Sequence, residues 1–200
     1  MSRTIASLFA VAALVLPLAL AGCATPPAQQ NFADLSYRHL APINLAVSSF
    51  DVETRYIPPL KAPNVEHLAP VKPYNAARQW GFDRIKTRGG DARARLVVLD
   101  ASIIEVPLAV TGGIKGAFTR DQAARYDGKL AVMLEVIDAG GFQRAYVTAR
   151  ADRSQTVPEG ATIAERERVW FAITEDMMRQ LNEQLERNIA SYFGTYLKRD

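Results

Sequence analysis

One cysteine, Cys23, and two histidines, His39 and His67, are all that the 200 residues contain of those types. A single cysteine excludes an internal disulfide and cannot build a cysteine-based zinc cage, so stability must come from packing. No HExxH pattern and no serine in a nucleophile-elbow pattern occurs. Gly112-Gly113-Ile114-Lys115-Gly116 lacks the Lys–Ser/Thr pair of a phosphate loop, and its glycines read as turn residues. His39 lies in Tyr37-Arg38-His39-Leu40 and His67 in a proline-rich stretch, positions that suit solvent-facing or capping roles. These absences leave no visible catalytic constellation, cofactor site or metal site, and the expectation is a non-enzyme. No basic tract is present either. The net charge is +3, with 24 basic and 21 acidic residues interspersed, which excludes the footprint of a nucleic-acid binder. The longest apolar run, Ile5 to Leu20, is interrupted by Pro17 and is too short for a comfortable transmembrane helix.

What is present begins with that run. Arg3 supplies a positive n-region, the apolar stretch follows, and Leu20-Ala21-Gly22-Cys23 closes it with small residues before the cysteine. The pattern resembles the lipobox of bacterial lipoproteins. The resemblance implies cleavage before Cys23, a thioether-linked diacylglycerol on its sulfur and an acylated new N-terminus. Residues 1–22 are then a signal peptide, residues 23–40 a lipidated cysteine and linker, and 41–200 one globular domain. The residue after the cysteine is Ala24 and not Asp. By the enterobacterial sorting pattern, this implies an outer-membrane anchor facing the periplasm.

Nearly half of the chain is apolar, 48%, which argues for a packed core and against disorder. Ala24 to Asn31 is small, polar and proline-containing, a linker composition. Ile43, Leu45 and Val47 alternate with smaller or polar residues, predicting a first strand over 43–52. Pro58, Pro59, Pro63, Pro70 and Pro73 predict a loop from 58 to 73 that is either functional or a cover over a sheet edge. Helical spacing follows from Pro73 to Arg88, weakened by Gly81 and ended by Gly89-Gly90. Arg95 to Val106 predicts a long central strand, buried on both faces near its start and bent around Ser102. Val110 to Tyr126 lacks a clean period and reads as a hairpin connection or irregular strand ends. Ile114 and Phe118 within it are the candidate exposed apolar tip.

From Gly128 to Asp138 the alternation of Leu130, Val132, Leu134 and Val136 predicts a strand. Ala139-Gly140-Gly141 supplies a turn, and Phe142 to Arg153 predicts the returning strand. Thr162-Ile163-Ala164-Glu165 reads as a capping box. Trp170, Ile173, Met177, Leu181, Leu185, Ile189 and Tyr192 recur every three or four residues behind it, predicting an amphipathic helix to Phe193 with Gly194 as its stop. Trp170, Phe171, Tyr192, Phe193 and Tyr196 read as helix–sheet core, with a lipid or partner groove as the alternative.

The order β–α–β–β–β–α predicts an α+β two-layer domain, an antiparallel or mixed sheet covered by two helices, the longer one C-terminal. In layout this is similar to the small outer-membrane assembly and transport lipoproteins, including the LPS-assembly lipoproteins and the ABC-transport auxiliary lipoproteins. Only Leu20–Cys23 matches as a residue motif. The resemblance implies a non-enzymatic accessory in outer-membrane biogenesis or lipid transport, partnered by the membrane through Cys23 and by an envelope protein or lipid. The alternative is a lipoprotein that holds an apolar ligand between sheet and C-terminal helix. An anchored hydrolase would require a histidine paired with a carboxylate and a serine.

Overall fold

The structure, a computed structural model, describes residues 31–109 and 122–198. Cys23 and the rest of Leu20–Cys23, Ala24, and the apolar pair Ile114 and Phe118 lie outside the described residues. Among the described residues, six strands and two helices follow in the order β1 (Ile43–Leu45), β2 (Ser49–Thr54), α1 (Pro73–Arg84), β3 (Ile85–Thr87), β4 (Arg93–Pro107), β5 (Gln122–Ile137), β6 (Gln143–Pro158) and α2 (Ile163–Tyr192). The main sheet has the order β2-β4-β5-β6, parallel at β2/β4 and antiparallel elsewhere. β1 and β3 form a small parallel pair. Both helices pack on one face of the main sheet, so the fold is α+β in two layers with the longer helix C-terminal.

The first predicted strand is two. After Leu45 the chain turns tightly, Val47 N–H donating to the Leu45 carbonyl at 2.9 Å, a three-residue turn that redirects the backbone. β1 therefore joins β3, and β2 joins β4. Helix α1 starts at Pro73 as expected but stops at Arg84, because buried, β-branched Ile85 enters β3 opposite Ile43. Gly81, which weakened the helix on propensity, has a packing reason. A Cβ there would stand 3.0 Å from Leu96, 3.1 Å from Phe50 and 3.2 Å from Val52, so glycine lets α1 settle directly onto β2 and β4.

β4 runs from Arg93 to Pro107, with Leu96, Val97 and Val98 fully buried. Its irregularity lies three residues before Ser102, where Val98 pairs with Val132 and Asp100 with Ala131. The extra residue, Leu99, is a bulge that inverts side-chain parity. Ala94, Leu96 and Val98 face the core before it, and Ala101 and Ile103 face the core after it. The β5–β6 hairpin forms as predicted, and Leu130, Val132, Leu134 and Val136 are all buried against the helices. β5 also takes in Gln122 to Asp127, residues the aperiodic pattern left in the connection.

The proline-rich loop covers a sheet edge. Where β2 stops pairing with β4, the chain returns to the same edge: Val65 N–H donates to Ile103 O, and Glu105 N–H to Pro63 O, each at 2.8 Å. Glu66 is completely buried behind this junction. Its carboxylate accepts from the Tyr56 hydroxyl at 2.7 Å, Asn64 Nδ2 at 3.2 Å and Ile103 N–H at 3.2 Å, which supplies the partners a buried acid needs. On the solvent face one ladder crosses all four strands. Glu53 and Glu135 flank Arg95 at 2.8 and 2.6 Å, and Gln143 donates to Glu135 at 2.7 Å.

α2 carries its capping box, Thr162 Oγ1 accepting from Glu165 N–H while the Glu165 carboxylate accepts from Thr162 N–H at 2.7 Å. Trp170, Ile173, Met177, Leu181, Leu185 and Ile189 are buried along one stripe. Tyr192 breaks the expectation: it is exposed beside Tyr146 and Thr148 at the outer edge of β6, while Ile189 and Phe193 continue the buried stripe. The helix ends just before Gly194 as expected, with Phe193 as its cap, although Gly194 does not take the left-handed conformation. The chain leaves through Phe193, which is fully buried and whose carbonyl accepts from Tyr196 and Leu197 N–H at 2.7 Å. Tyr196 O then accepts from Ala46 N–H at 2.8 Å, tying the C-terminal end to the β1 turn. No helix of the described residues is long and apolar enough to cross a membrane.

Candidate functional site

Residues 32–40, placed with the linker in the division of the chain at residue 40, lie against the helices. Tyr37 is buried, Phe32 stacks on Phe171 of α2 with ring centroids 5.1 Å apart, and Leu35 and Leu40 pack on the core. Asp83 on α1 is the clasp. Its carboxylate accepts from Tyr37 N–H at 2.8 Å, Gln79 Nε2 at 2.8 Å, Arg38 Nε at 3.2 Å and Ser36 Oγ at 3.3 Å. The next residue, buried Arg84, reaches three elements. It donates to Ala41 O at 3.0 Å, to Asn182 Oδ1 at 2.5 Å and to Glu186 Oε1 at 2.6 Å. Asn182 Oδ1 also accepts from Trp80 Nε1 at 2.8 Å. Asp83 and Arg84 follow buried Trp80 by three and four residues, so they share its side of the helix and meet both the entering chain and α2. Sequence reasoning missed this seam. The available signal was an acid and a base placed next to the tryptophan stripe, where a solvated helix face would not put them.

Burial pushes the Asp83 carboxyl up. The hydrogen bonds from Tyr37, Arg38 and Gln79, with the Arg38 charge, outweigh it and hold the group below the usual carboxylate range. A carboxylate depressed in the folded state adds stability that is present above its unfolded value, about 4, and is lost as pH falls through the folded value. Thermal melts of the wild type and Asp83→Asn are therefore expected to differ by a constant amount above about pH 5 and to converge below about pH 4. A gap that stays constant to the acid end would remove Asp83 as a source of acid sensitivity.

Between residues 31–40 and α2 lies an open groove of about 610 Å³. Phe32, Leu35, Phe171 and Met178 make its apolar wall, and Glu175, Arg179 and exposed His39 stand among its polar lining. The Tyr37 hydroxyl is buried with no hydrogen-bond partner. Burial, then the Asp83 and Glu175 charges, raise its pKa above the usual phenol value. The groove is on the flank of α2. The sheet–helix interface, where the alternative reading places an apolar ligand, is filled: a Cβ on Gly128 of β5 would collide with Ile173 and stand 3.0 Å from Met177. His67 Nδ1 is buried without a partner, and neither histidine is joined to a serine and a carboxylate among the described residues. Of the aromatic set, Trp170 and Phe193 are core, Trp170 meeting Tyr126 edge-on at 5.5 Å; Phe171 lines the groove and Tyr192 faces solvent.

No protein-family model matches the chain, and no curated protein matches it. Solved structures that resemble it include a minor lipoprotein from Acinetobacter baumannii. It is 16% identical, with 78% of this chain and 99% of that chain covered and a TM-score of 0.36. Another is the rare lipoprotein B from Shewanella oneidensis, 11% identical over 72% of this chain and 95% of that one, with a TM-score of 0.39. Both neighbours are lipoproteins, and at these scores the likeness carries no argument about this chain.

Proposed function

We propose that the chain is a lipid-anchored, periplasm-facing lipoprotein of the outer membrane that serves as a non-enzymatic accessory in envelope assembly or lipid transport. The observation that carries this reading is Leu20-Ala21-Gly22-Cys23 at the end of a secretion-type apolar run. The geometry supports it from the other side. Phe32, nine residues after Cys23, already packs on α2, and nine residues reach at most about 32 Å when fully extended. An acylated Cys23 would hold the domain close to the bilayer surface, where it meets membrane components and envelope proteins. Ala24 supports release toward the outer membrane. Density-gradient fractionation tests the location: the mature protein is expected with outer-membrane markers, and recovery mainly with inner-membrane markers would overturn that assignment. Pull-down of the detergent-solubilised lipidated protein tests the role. Recovery of envelope assembly or transport components is expected, and a protein that retains only bulk lipid would count against an accessory role.

A further inference from the structure

Among the described residues the outer edge of β6 pairs with no further strand. Successive residues of an antiparallel strand turn their N–H and C=O groups to alternate sides, and the even-numbered residues of β6 turn outward. Gln184 of α2 closes on both outward groups of Arg150. Arg150 N–H donates to Gln184 Oε1 at 3.1 Å, and Gln184 Nε2 donates to Arg150 O at 2.7 Å. Asn188 Nδ2 donates to Thr148 O at 2.9 Å. A primary amide offers the same donor and acceptor as a peptide group, so Gln184 stands where one residue of an added strand would pair. Beside Asn188, Tyr146 and Tyr192 are 59% and 70% exposed and flank a small groove along the edge.

We propose that the outer edge of β6 is a self-association edge that the Gln184 and Asn188 amides hold closed, and that its occupant is β6 of a second copy. The argument is charge register. In a two-fold antiparallel pair the outward, even-numbered residues must face one another. β6 runs without a register break from Ala145 to Val157, so few registers are available. Pairing centred on Ala151 sets Arg150 opposite the second copy's Asp152, twice by symmetry. It also sets Thr148 opposite Ser154 and Tyr146 opposite Thr156, all favourable cross-strand pairs. Sliding by two residues in one direction puts Arg150 against Arg150, and in the other Asp152 against Asp152; like charges directly opposite destabilise both. Neither Arg150 nor Asp152 joins an ion pair among the described residues, while the nearby Arg153 pairs with Asp176. The edge is thus complementary to itself in one register, and the two amides occupy the Arg150 and Thr148 positions of it.

The test uses the full chain in detergent, with the protein mass per particle taken from light scattering and the fold checked by circular dichroism. The wild type is expected as one copy. Gln184→Ala with Asn188→Ala is expected to double the mass, and Gln184→Glu, which keeps the acceptor but loses the donor to Arg150 O, to shift it partway. Adding Arg150→Asp to the double variant should return one copy, and adding Asp152→Arg as well should restore two. A folded double variant and a folded Gln184→Glu variant that both stay single would overturn the proposal. So would association indifferent to Arg150→Asp, or a wild type already paired through this edge.

Discussion

Leu181→Ala is expected to cost about 2–5 kcal/mol of unfolding free energy, the range for a buried leucine cut back to alanine. Leu181 is fully buried near the middle of α2, with Met177, Met178 and Leu185 buried on the neighbouring turns. The loss combines the transfer energy of the removed carbons with the cavity that a sheet-packed helix cannot collapse around. Against a total of about 5–15 kcal/mol for a domain, that is a large share. Glu183 is exposed on the same helix and makes only a 3.9 Å ion pair with Arg187. Replacing it by alanine is expected to cost no more than about 0.5 kcal/mol. Urea unfolding checks both, with a lower midpoint and an unchanged slope for Leu181→Ala. A wild-type midpoint for Leu181→Ala, together with lost partner binding, would make the stripe an interaction surface rather than a core.

That helix was legible because its signals agree. The capping box, the three- and four-residue spacing and the length all point to one long amphipathic element, and the hairpin before it was equally explicit in its period-two alternation. The elements that were misread share a cause: their conformation is set by partners distant in sequence. Ile43 to Val52 alternates as one strand, yet Ala46 is bonded to Tyr196 and Leu45 to Arg88, which draws its halves into different sheets. Gly81 looks like a weak point until the opposing layer is in place, when it proves, like Gly128, to be a site of close approach. Gly128 in particular lets α2 lie against β5. Tyr192 continues the helical stripe by spacing alone, but Phe193 is the residue that turns into the core there, and Tyr192 comes to the open outer edge of β6. The clasp around Asp83 was illegible for a further reason: Ser36, Tyr37 and Arg38 follow a composition typical of linkers. Only the depth of Trp80 shows why an acid and a base beside it must be buried.

The anchor carries the largest expected effect, because Cys23→Ser should abolish lipidation altogether. Serine offers no thiolate to form the thioether, and cleavage of the leader depends on that modification in the lipoproteins the motif resembles. Each buried methylene contributes about 0.8 kcal/mol, and a single acyl chain binds a membrane only reversibly. Three chains would keep the domain at the bilayer for its lifetime, whereas the variant would persist as an unprocessed precursor. Metabolic labelling with a palmitate analogue measures this directly. Label is expected in the wild-type protein and absent from Cys23→Ser at equal expression; label entering Cys23→Ser, or none entering the wild type, would contradict the reading of the chain as a lipoprotein.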